Sequence, residues 1–156
     1  MLPSVLTAGT ANAAPKKGGR LRIGCPGSQT SDSLDPATIT NLVPETVSWN
    51  CRNCLVEIDH ESKAIPELAE SWESTPDAKK WIFKLRKGVE FHNGKSLDAE
   101  DVLFSINHHS GKDSKSPVKV IVEPITEIKA DDKYTVSMML REGNADFHYL
   151  MSDYHL

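Results

Sequence analysis

The sequence predicts a mixed α/β fold built around an antiparallel sheet. Residues 81–85 alternate large apolar side chains with lysine and isoleucine, which is the period of a half-buried strand. Residues 125–130 and 134–140 repeat such an alternation on either side of an Asp-Asp-Lys sequence, which predicts a hairpin. Between these strands, residues 98–109 carry apolar side chains at helical spacing. Hairpin strands combined with an amphipathic helix are typical of such a fold.

The N-terminal elements are predicted, in chain order, as a strand, a loop and a helix. Residues 20–24 alternate polar and apolar side chains, so we expect a short strand to open the folded part. Residues 27–40 are rich in Ser, Thr and Asp and contain Pro36, a composition typical of a loop. Pro44 suits the first turn of a helix, and apolar residues at helical spacing extend that helix to about Cys54.

The middle of the chain is predicted to contain further extended segments and turns. Residues 66–72 are expected to form a short helical turn that leads into a strand near Trp72. Residues 89–92 continue the extended pattern of the strand before them. Asn93 and Gly94 then predict a tight turn, because both residue types tolerate positive φ.

The helix over 98–109 has the clearest boundary signals. Asp98 is placed to cap its N-terminus, and the acidic residues that follow complement the helix dipole. Leu97 and Val102 stand at the spacing of a hydrophobic staple across that cap. Gly111 follows the last turn, where helices commonly end.

Composition and charge narrow the classes of function. Of the 156 residues, 38% are hydrophobic and 26% are charged, which is ordinary for a globular protein. The formal net charge is −4, and lysines and arginines are interleaved with acidic residues, so no basic stripe for nucleic acid emerges. No run of about 18 apolar residues predicts a membrane span.

The two ends of the chain carry separate signals. Residues 1–19 include Ala-Asn-Ala ahead of a Gly-rich start, which suggests a truncated export signal; a flexible Ala-rich tail is the alternative. An exported chain meets an oxidising compartment, in which cysteines pair. Residues 147–156 are dense in apolar side chains, which we interpret as the sign of a fragment.

Three motifs resemble those of one known family. They are Pro-Glu-Leu-Ala-Glu-Ser-Trp at 66–72, the run from Trp81 to Ser105 with its Leu-Arg-Lys-Gly-Val-Glu-Phe-His-Asn-Gly sequence, and Ser-Leu-Asp-Pro at 33–36. Together they resemble the family 5 extracellular solute-binding proteins, which are the dipeptide, oligopeptide and nickel receptors of ABC importers. The resemblance extends over about 18–156.

The resemblance implies a type II periplasmic-binding-protein-like fold, of which this chain is an incomplete lobe one with an antiparallel-sheet subdomain. Such receptors hold their ligand in a cleft between two lobes that close by hinge motion. On that basis residues 1–19 are the remnant of a signal peptide and a flexible tail, and 20–43 are the first strand and loop of lobe one. Residues 44–145 are a small α/β subdomain, and 146–156 start the return into lobe one.

The resemblance also suggests which residues bind ligand. Thr40, Asn41, Leu42 and Val43 follow the Leu-Asp-Pro loop and are expected to line the cleft, offering backbone groups to an extended peptide as in strand addition. The alternative is an ordinary surface loop before a capped helix. Ser116, in the loop around Pro117, is a further candidate for the cleft edge.

The cysteines and histidines raise the possibilities of thiol redox chemistry and metal binding, but their spacing favours neither. Cys51 and Cys54 form a C-x-x-C pair, but late in the predicted helix, where the dipole raises a thiol pKa. Packing or a structural disulfide, for example from Cys25 to one of the pair, is the preferred interpretation. The six histidines show no metal-ligand spacing, since His108 and His109 are adjacent on one helix.

The sequence therefore favours a transport receptor over an enzyme. We expect the parent protein to bind a peptide or similar small solute in the periplasm and to deliver it to the membrane permease of an ABC importer, with no cofactor, no metal and no catalytic residue. An exported thiol-disulfide protein that uses Cys51 and Cys54, or a stand-alone interaction domain, are the alternatives. A single cleft wall leaves much of the ligand exposed to water, so weak binding or none is expected of these 156 residues alone.

Overall fold

The computed structural model describes residues 17–156, so most of the predicted export signal at 1–19 lies outside the described residues. The described chain combines helices with antiparallel strands, as predicted. After a single 3₁₀ turn at Pro36–Thr38, its elements are α1 (Leu42–Cys51), β1 (Val56–Ile58), β2 (Ala64–Pro66), β3 (Ala69–Ser74), β4 (Lys80–Leu85), α2 (Ala99–Ser110), α3 (Lys119–Val122), β5 (Ile125–Asp132), β6 (Thr135–Leu140) and α4 (Phe147–Leu150).

The strands form two antiparallel sheets. A four-stranded sheet has the order β3-β4-β6-β5, and β1 pairs with β2 in a separate hairpin. The predicted β5–β6 hairpin is confirmed, and the Asp132 carboxylate accepts the Tyr134 amide at 2.7 Å across its turn. The predicted strand over 81–85 is confirmed as β4, which lies in the centre of the sheet because β6 joins it from the far end of the chain.

The core lies between the four-stranded sheet and α2. Alternate β4 side chains, Trp81, Phe83 and Leu85, point into it and are buried, as the period-two pattern predicts. Val102 and Ile106 cover them from α2. Burying apolar side chains of this size contributes roughly 1.5–3 kcal/mol each to folding.

The start of α2 confirms the predicted cap. The Asp98 carboxylate accepts the amides of Glu100 and Asp101, and the Asp101 carboxylate in turn accepts the Asp98 amide at 3.1 Å. This reciprocal capping box satisfies donors that the first helical turn leaves unpaired. The predicted staple residues, Leu97 and Val102, are both buried, and the helix ends at the predicted glycine, Gly111.

Two local predictions are wrong, each because strand pairing depends on distant residues. Residues 20–24 form no strand in the described chain, and Leu21 is 83% exposed, since no neighbouring strand pairs with them. Residues 66–72 form no helical turn, because the Leu68 and Ala69 amides donate to the carbonyls of Cys54 and Leu55 and keep this segment extended.

Two further expectations need adjustment. The extended segment over 89–92 is reduced to one bridge, between Glu90 and Ser96, around the predicted turn, where Gly94 has a φ of 85°. Helix α1 begins and ends earlier than predicted, because Arg52 is extended and so stops the helix before it reaches the second cysteine of the pair.

Gly143 marks a close approach between two backbones. It follows β6 and packs against the 77–79 turn, where the Asn144 amide donates to the Ala78 carbonyl at 3.1 Å. A Cβ on Gly143 would lie 3.2 Å from the carbonyl carbon of Asp77 and well under 3.0 Å from its oxygen. Only glycine fits this position, although its own φ is not positive.

Candidate functional site

The segment Thr40–Val43 runs into the N-terminus of α1, as the motif at 33–36 suggested. Asn41 is extended, with φ −128° and ψ 152°, and Leu42 is the first helical residue. The Asn41 side chain makes no cap bond to the helix, so the first-turn amides of Leu42 and Val43 are left open to an outside acceptor. Thr40 and Leu42 are exposed, Leu42 to 48%.

Asn41 is instead turned back towards the preceding loop. The side-chain nitrogen of Asn41 donates to the Asp32 carboxylate at 2.9 Å, and its side-chain oxygen accepts from the Gln29 side-chain amide at 3.4 Å. The second Asp32 oxygen accepts the Gln29 backbone amide at 2.9 Å. These bonds give the loop a fixed conformation ahead of α1.

The turn that precedes the segment is attached to the rest of the chain at both of its ends. At its start, Asp35 accepts the Ala37 amide at 3.0 Å and contacts His108 of α2 at 2.7 Å. The His108 ring and the Ala37 amide hold the pKa of the Asp35 carboxyl below its ordinary value. At its end, the Ile39 carbonyl oxygen lies 3.1 Å from Nε2 of His155.

Ser116, the fifth predicted ligand residue, lies elsewhere and faces inward. It is buried, and its hydroxyl lies 2.7 Å from Nδ1 of the buried His109 and accepts the Val118 amide at 3.3 Å. Burial first, and then the charge on His108, lowers the pKa of His109, so its ring is held neutral. The structure therefore brings Thr40–Val43 together as one surface and does not bring Ser116 into it.

The three cysteines are free thiols, so the predicted disulfide is not formed in this structure. Cys51 ends α1 and is exposed, whereas Cys54 is buried with its thiol 3.5 Å from the Asp153 carbonyl. Burial, reinforced by the charges of Glu67 and Asp153, raises the pKa of the Cys54 thiol to about 12. A thiol held neutral in this way is a poor nucleophile, so Cys54 does not supply a thiolate for redox chemistry.

The described surface also has a groove beside α2. It has a volume of about 610 Å³ and runs between α2, the 89–97 loop and the C-terminal segment. Its walls are mainly apolar, and they include Leu55, Leu68, Phe91, Val102, Met151 and Leu156. Thr40–Val43 do not line it, so the groove and the predicted ligand segment are separate features of the described surface.

The described residues contain neither a cluster of metal ligands nor a membrane-spanning helix. Over residues 17–156, no three His, Cys, Asp or Glu side chains come together as ligands for a metal ion. None of the helices in that part of the chain has the length and apolarity to cross a bilayer.

Comparison with known proteins identifies the family. The family model described as bacterial extracellular solute-binding proteins, family 5 Middle, matches residues 63–156 of the sequence, which is more than half of the chain. The chain belongs to this family. The match includes β3, β4, α2 and the β5–β6 hairpin, so the family motif at 66–105 corresponds mainly to the sheet and its covering helix.

Relatives of this family 5 chain are named for small solutes. It is 40% identical over 73 residues to the periplasmic oligopeptide-binding protein OppA of Haemophilus influenzae, a match that covers 47% of the chain and 14% of that protein. It is 31% identical to the di/tripeptide-binding protein 1 of Pseudomonas aeruginosa over 94% of the chain and 31% of that protein. The chain thus spans less than a third of either relative.

Solved structures support the type II binding-protein fold. The structure of the binding protein AgaA in complex with agropinic acid, from A. tumefaciens, superposes with a TM-score of 0.74 and 28% identity. That match covers 79% of the family 5 chain and 25% of AgaA. The fold of this chain is therefore that of a part of a periplasmic binding protein, as the motifs predicted.

Sequence reasoning missed the residues that contact the turn before the predicted ligand segment. His108 was judged only as a metal ligand, and His155 was not considered, although they contact Asp35 and Ile39 across 73 and 116 residues of chain. No local pattern signals contacts at such separation. The one available sign was the density of histidines in a chain without metal-ligand spacing.

Proposed function

We propose that this chain provides one wall of a periplasmic receptor for a peptide or a similar small solute. Residues 44–145 form its small α/β subdomain, and the segments before and after them belong to lobe one. The receptor binds without chemistry and delivers its ligand to the permease of an ABC importer. It is exported, and it needs no cofactor.

The open backbone at the start of α1 supports this proposal most directly. The amides of Leu42 and Val43 lie in a first turn that has no side-chain cap, next to the exposed Leu42 side chain, an arrangement that suits the carbonyl groups of an extended peptide. The named ligands of the relatives, which are oligopeptides, di- and tripeptides and agropinic acid, all carry carbonyl or carboxylate acceptors.

A thiol-disulfide function is disfavoured by the same structure. The Cys54 thiol is buried and its pKa is raised to about 12, and Cys51 lies at the C-terminal end of α1 and not at a helix N-terminus, where reactive thiols are activated. A stand-alone interaction domain has no specific observation in its favour.

The test exploits a matched pair of substitutions at Leu42. Leu42→Pro removes the amide donor, and the site accepts proline because it is the first helical position and Asn41 before it is already extended. Leu42→Ala truncates the side chain and keeps the donor. Both variants should fold, since Leu42 is 48% exposed.

Titration of the 15N-labelled chain with tripeptides, followed by amide chemical shifts, measures binding at the wall itself. We expect weak affinity, in the millimolar range, with shifts centred on Thr40–Val43, because a single wall excludes little water. The proline variant should bind roughly tenfold more weakly than the alanine variant, the effect of one lost hydrogen bond of about 1.4 kcal/mol. Equal affinities would reject the backbone wall, and unchanged shifts with every peptide would reject the receptor function.

A further inference from the structure

His155 lies between two hydrogen-bond acceptors. Its Nδ1 is 2.6 Å from the Asp153 carboxylate, and its Nε2 is 3.1 Å from the backbone carbonyl oxygen of Ile39. The ring is only 6% exposed, so water does not readily replace either partner. The Asp153 carboxylate also accepts the His155 backbone amide at 3.0 Å, which fixes its position relative to the ring.

This geometry determines the protonation state that satisfies all the partners. A neutral imidazole has one N–H, whereas neither a carboxylate nor a carbonyl oxygen has a proton to donate. Only the imidazolium form donates to both acceptors at once. The carboxylate at 2.6 Å compensates its charge, which makes this the stronger, charge-assisted type of hydrogen bond.

The groups around the ring are compatible with that charge. From its own segment, Asp153 faces the ring and Tyr154 packs against it with ring centroids 4.0 Å apart. From α2, His109 is a titratable group that interacts with the ring, and its pKa is lowered by burial first and then by the charges on His108 and His155.

The carbonyl that His155 holds is directly joined to the predicted ligand segment. Ile39 is almost fully buried, and Thr40 follows it in the chain. At the other end of the same turn, His108 holds Asp35 at 2.7 Å. The two histidines therefore attach the 35–39 turn to α2 and to the C-terminal segment, and the direction in which Thr40–Val43 leaves that turn depends on both.

We infer that His155 is a positioning residue, which as an imidazolium joins Asp153 to the Ile39 carbonyl and so fixes the orientation of the segment Thr40–Val43. It does not touch the ligand. The inference rests on the proposed function for the meaning of that segment, but its test needs no ligand, so the two can fail separately.

The first measurement is the protonation of the ring in the wild-type chain. Long-range 1H–15N correlation spectra of the imidazole at about pH 6, near the ordinary pKa of a free histidine, should show protons on both nitrogens of His155. Exposed His60 provides the internal reference for a ring without these partners. A His155 ring with one unprotonated nitrogen at that pH would overturn the inference.

The second measurement is the backbone order of the ligand segment in three variants. His155→Leu removes both donors, His155→Gln keeps an amide donor that can reach the Ile39 carbonyl, and His60→Leu is the exposed control. In the wild type and the control we expect order parameters of about 0.85 over Thr40–Val43. They should fall below about 0.6 in the leucine variant and recover in the glutamine variant.

The possible outcomes distinguish failure of the positioning role from failure of the proposed function. Unchanged order in the leucine variant would overturn the positioning role. If that variant fails to fold, the ring protonation and the glutamine variant decide: a bare ring nitrogen, or a glutamine variant that folds with a disordered segment, overturns the inference. Absence of peptide binding together with the expected order parameters would reject the proposed function alone.

Discussion

Replacement of Gly143 by alanine tests the tightest backbone approach in the structure. The added Cβ would lie well under 3.0 Å from the Asp77 carbonyl oxygen, a distance that real Cβ atoms do not show, and 3.2 Å from the carbonyl carbon. Both obstacles are backbone atoms, so no side-chain rotation relieves the overlap. The 77–79 turn must move, although Ala78 within it already has a φ of 51° and little freedom left.

The expected destabilisation is about 3 kcal/mol, at the upper end of the cost of overpacking a well-packed site. For a chain of this size that cost lowers the melting temperature by roughly 10 °C. Urea unfolding followed by the fluorescence of Trp81, which is buried and donates from its indole to the Ala78 carbonyl at 3.2 Å, reports on the same turn.

Gly111→Ala is the matched control, because nothing lies within 4 Å of a Cβ built on Gly111 and its φ is negative. We expect that variant to unfold within about 0.5 kcal/mol of the wild type. If Gly143→Ala also unfolds within that margin, the close approach does not exist in solution and the packing of β6 onto the 77–79 turn is wrong.

Three further predictions concern single side chains. Asp98→Ala removes the capping box of α2 and should cost about 1 kcal/mol in urea unfolding; an unchanged midpoint would contradict the cap. Because the pKa of His109 is lowered, its contribution to stability is present above the ordinary value of 6.5 and is lost as pH falls through the folded value. His109→Gln should therefore lose less stability than the wild type between neutral and mildly acidic pH, and equal losses would count against a neutral His109. The Cys54 thiol, with a pKa of about 12, should react with a disulfide reagent only after unfolding, while exposed Cys51 reacts in the native chain; equal rates would show that Cys54 is accessible.

Local signals in the sequence predicted the elements that depend on neighbours. The cap at Asp98, the alternation over β4 and the β5–β6 hairpin all follow from residues within a few positions of each other. The strand over 20–24 and the helical turn over 66–72 were wrong because a strand forms only where another segment pairs with its backbone, and such partners lie outside the local sequence.

The candidate site was predictable only in part, for the same physical reason. The family motif pointed to Thr40–Val43, and this ligand assignment stays a prediction; the structure leaves Thr40 and Leu42 exposed and Asn41 and Val43 half-buried at the start of α1. Ser116 was chosen from its loop alone, and no local sequence signal predicts that the Ser116 hydroxyl is buried against the His109 ring. The need for glycine at 143 was equally hidden, because it comes from the Asp77 carbonyl and not from a local turn.

The bond between His155 and Ile39 has a consequence for the order of folding. It closes a loop of 116 residues, whereas the β5–β6 hairpin needs only a short turn to form. Long loops close at a higher entropic cost and later than local contacts, so Thr40–Val43 should be ordered last. By the same reasoning it should open first in native-state hydrogen exchange, and during synthesis it stays unfixed until residue 155 has left the ribosome.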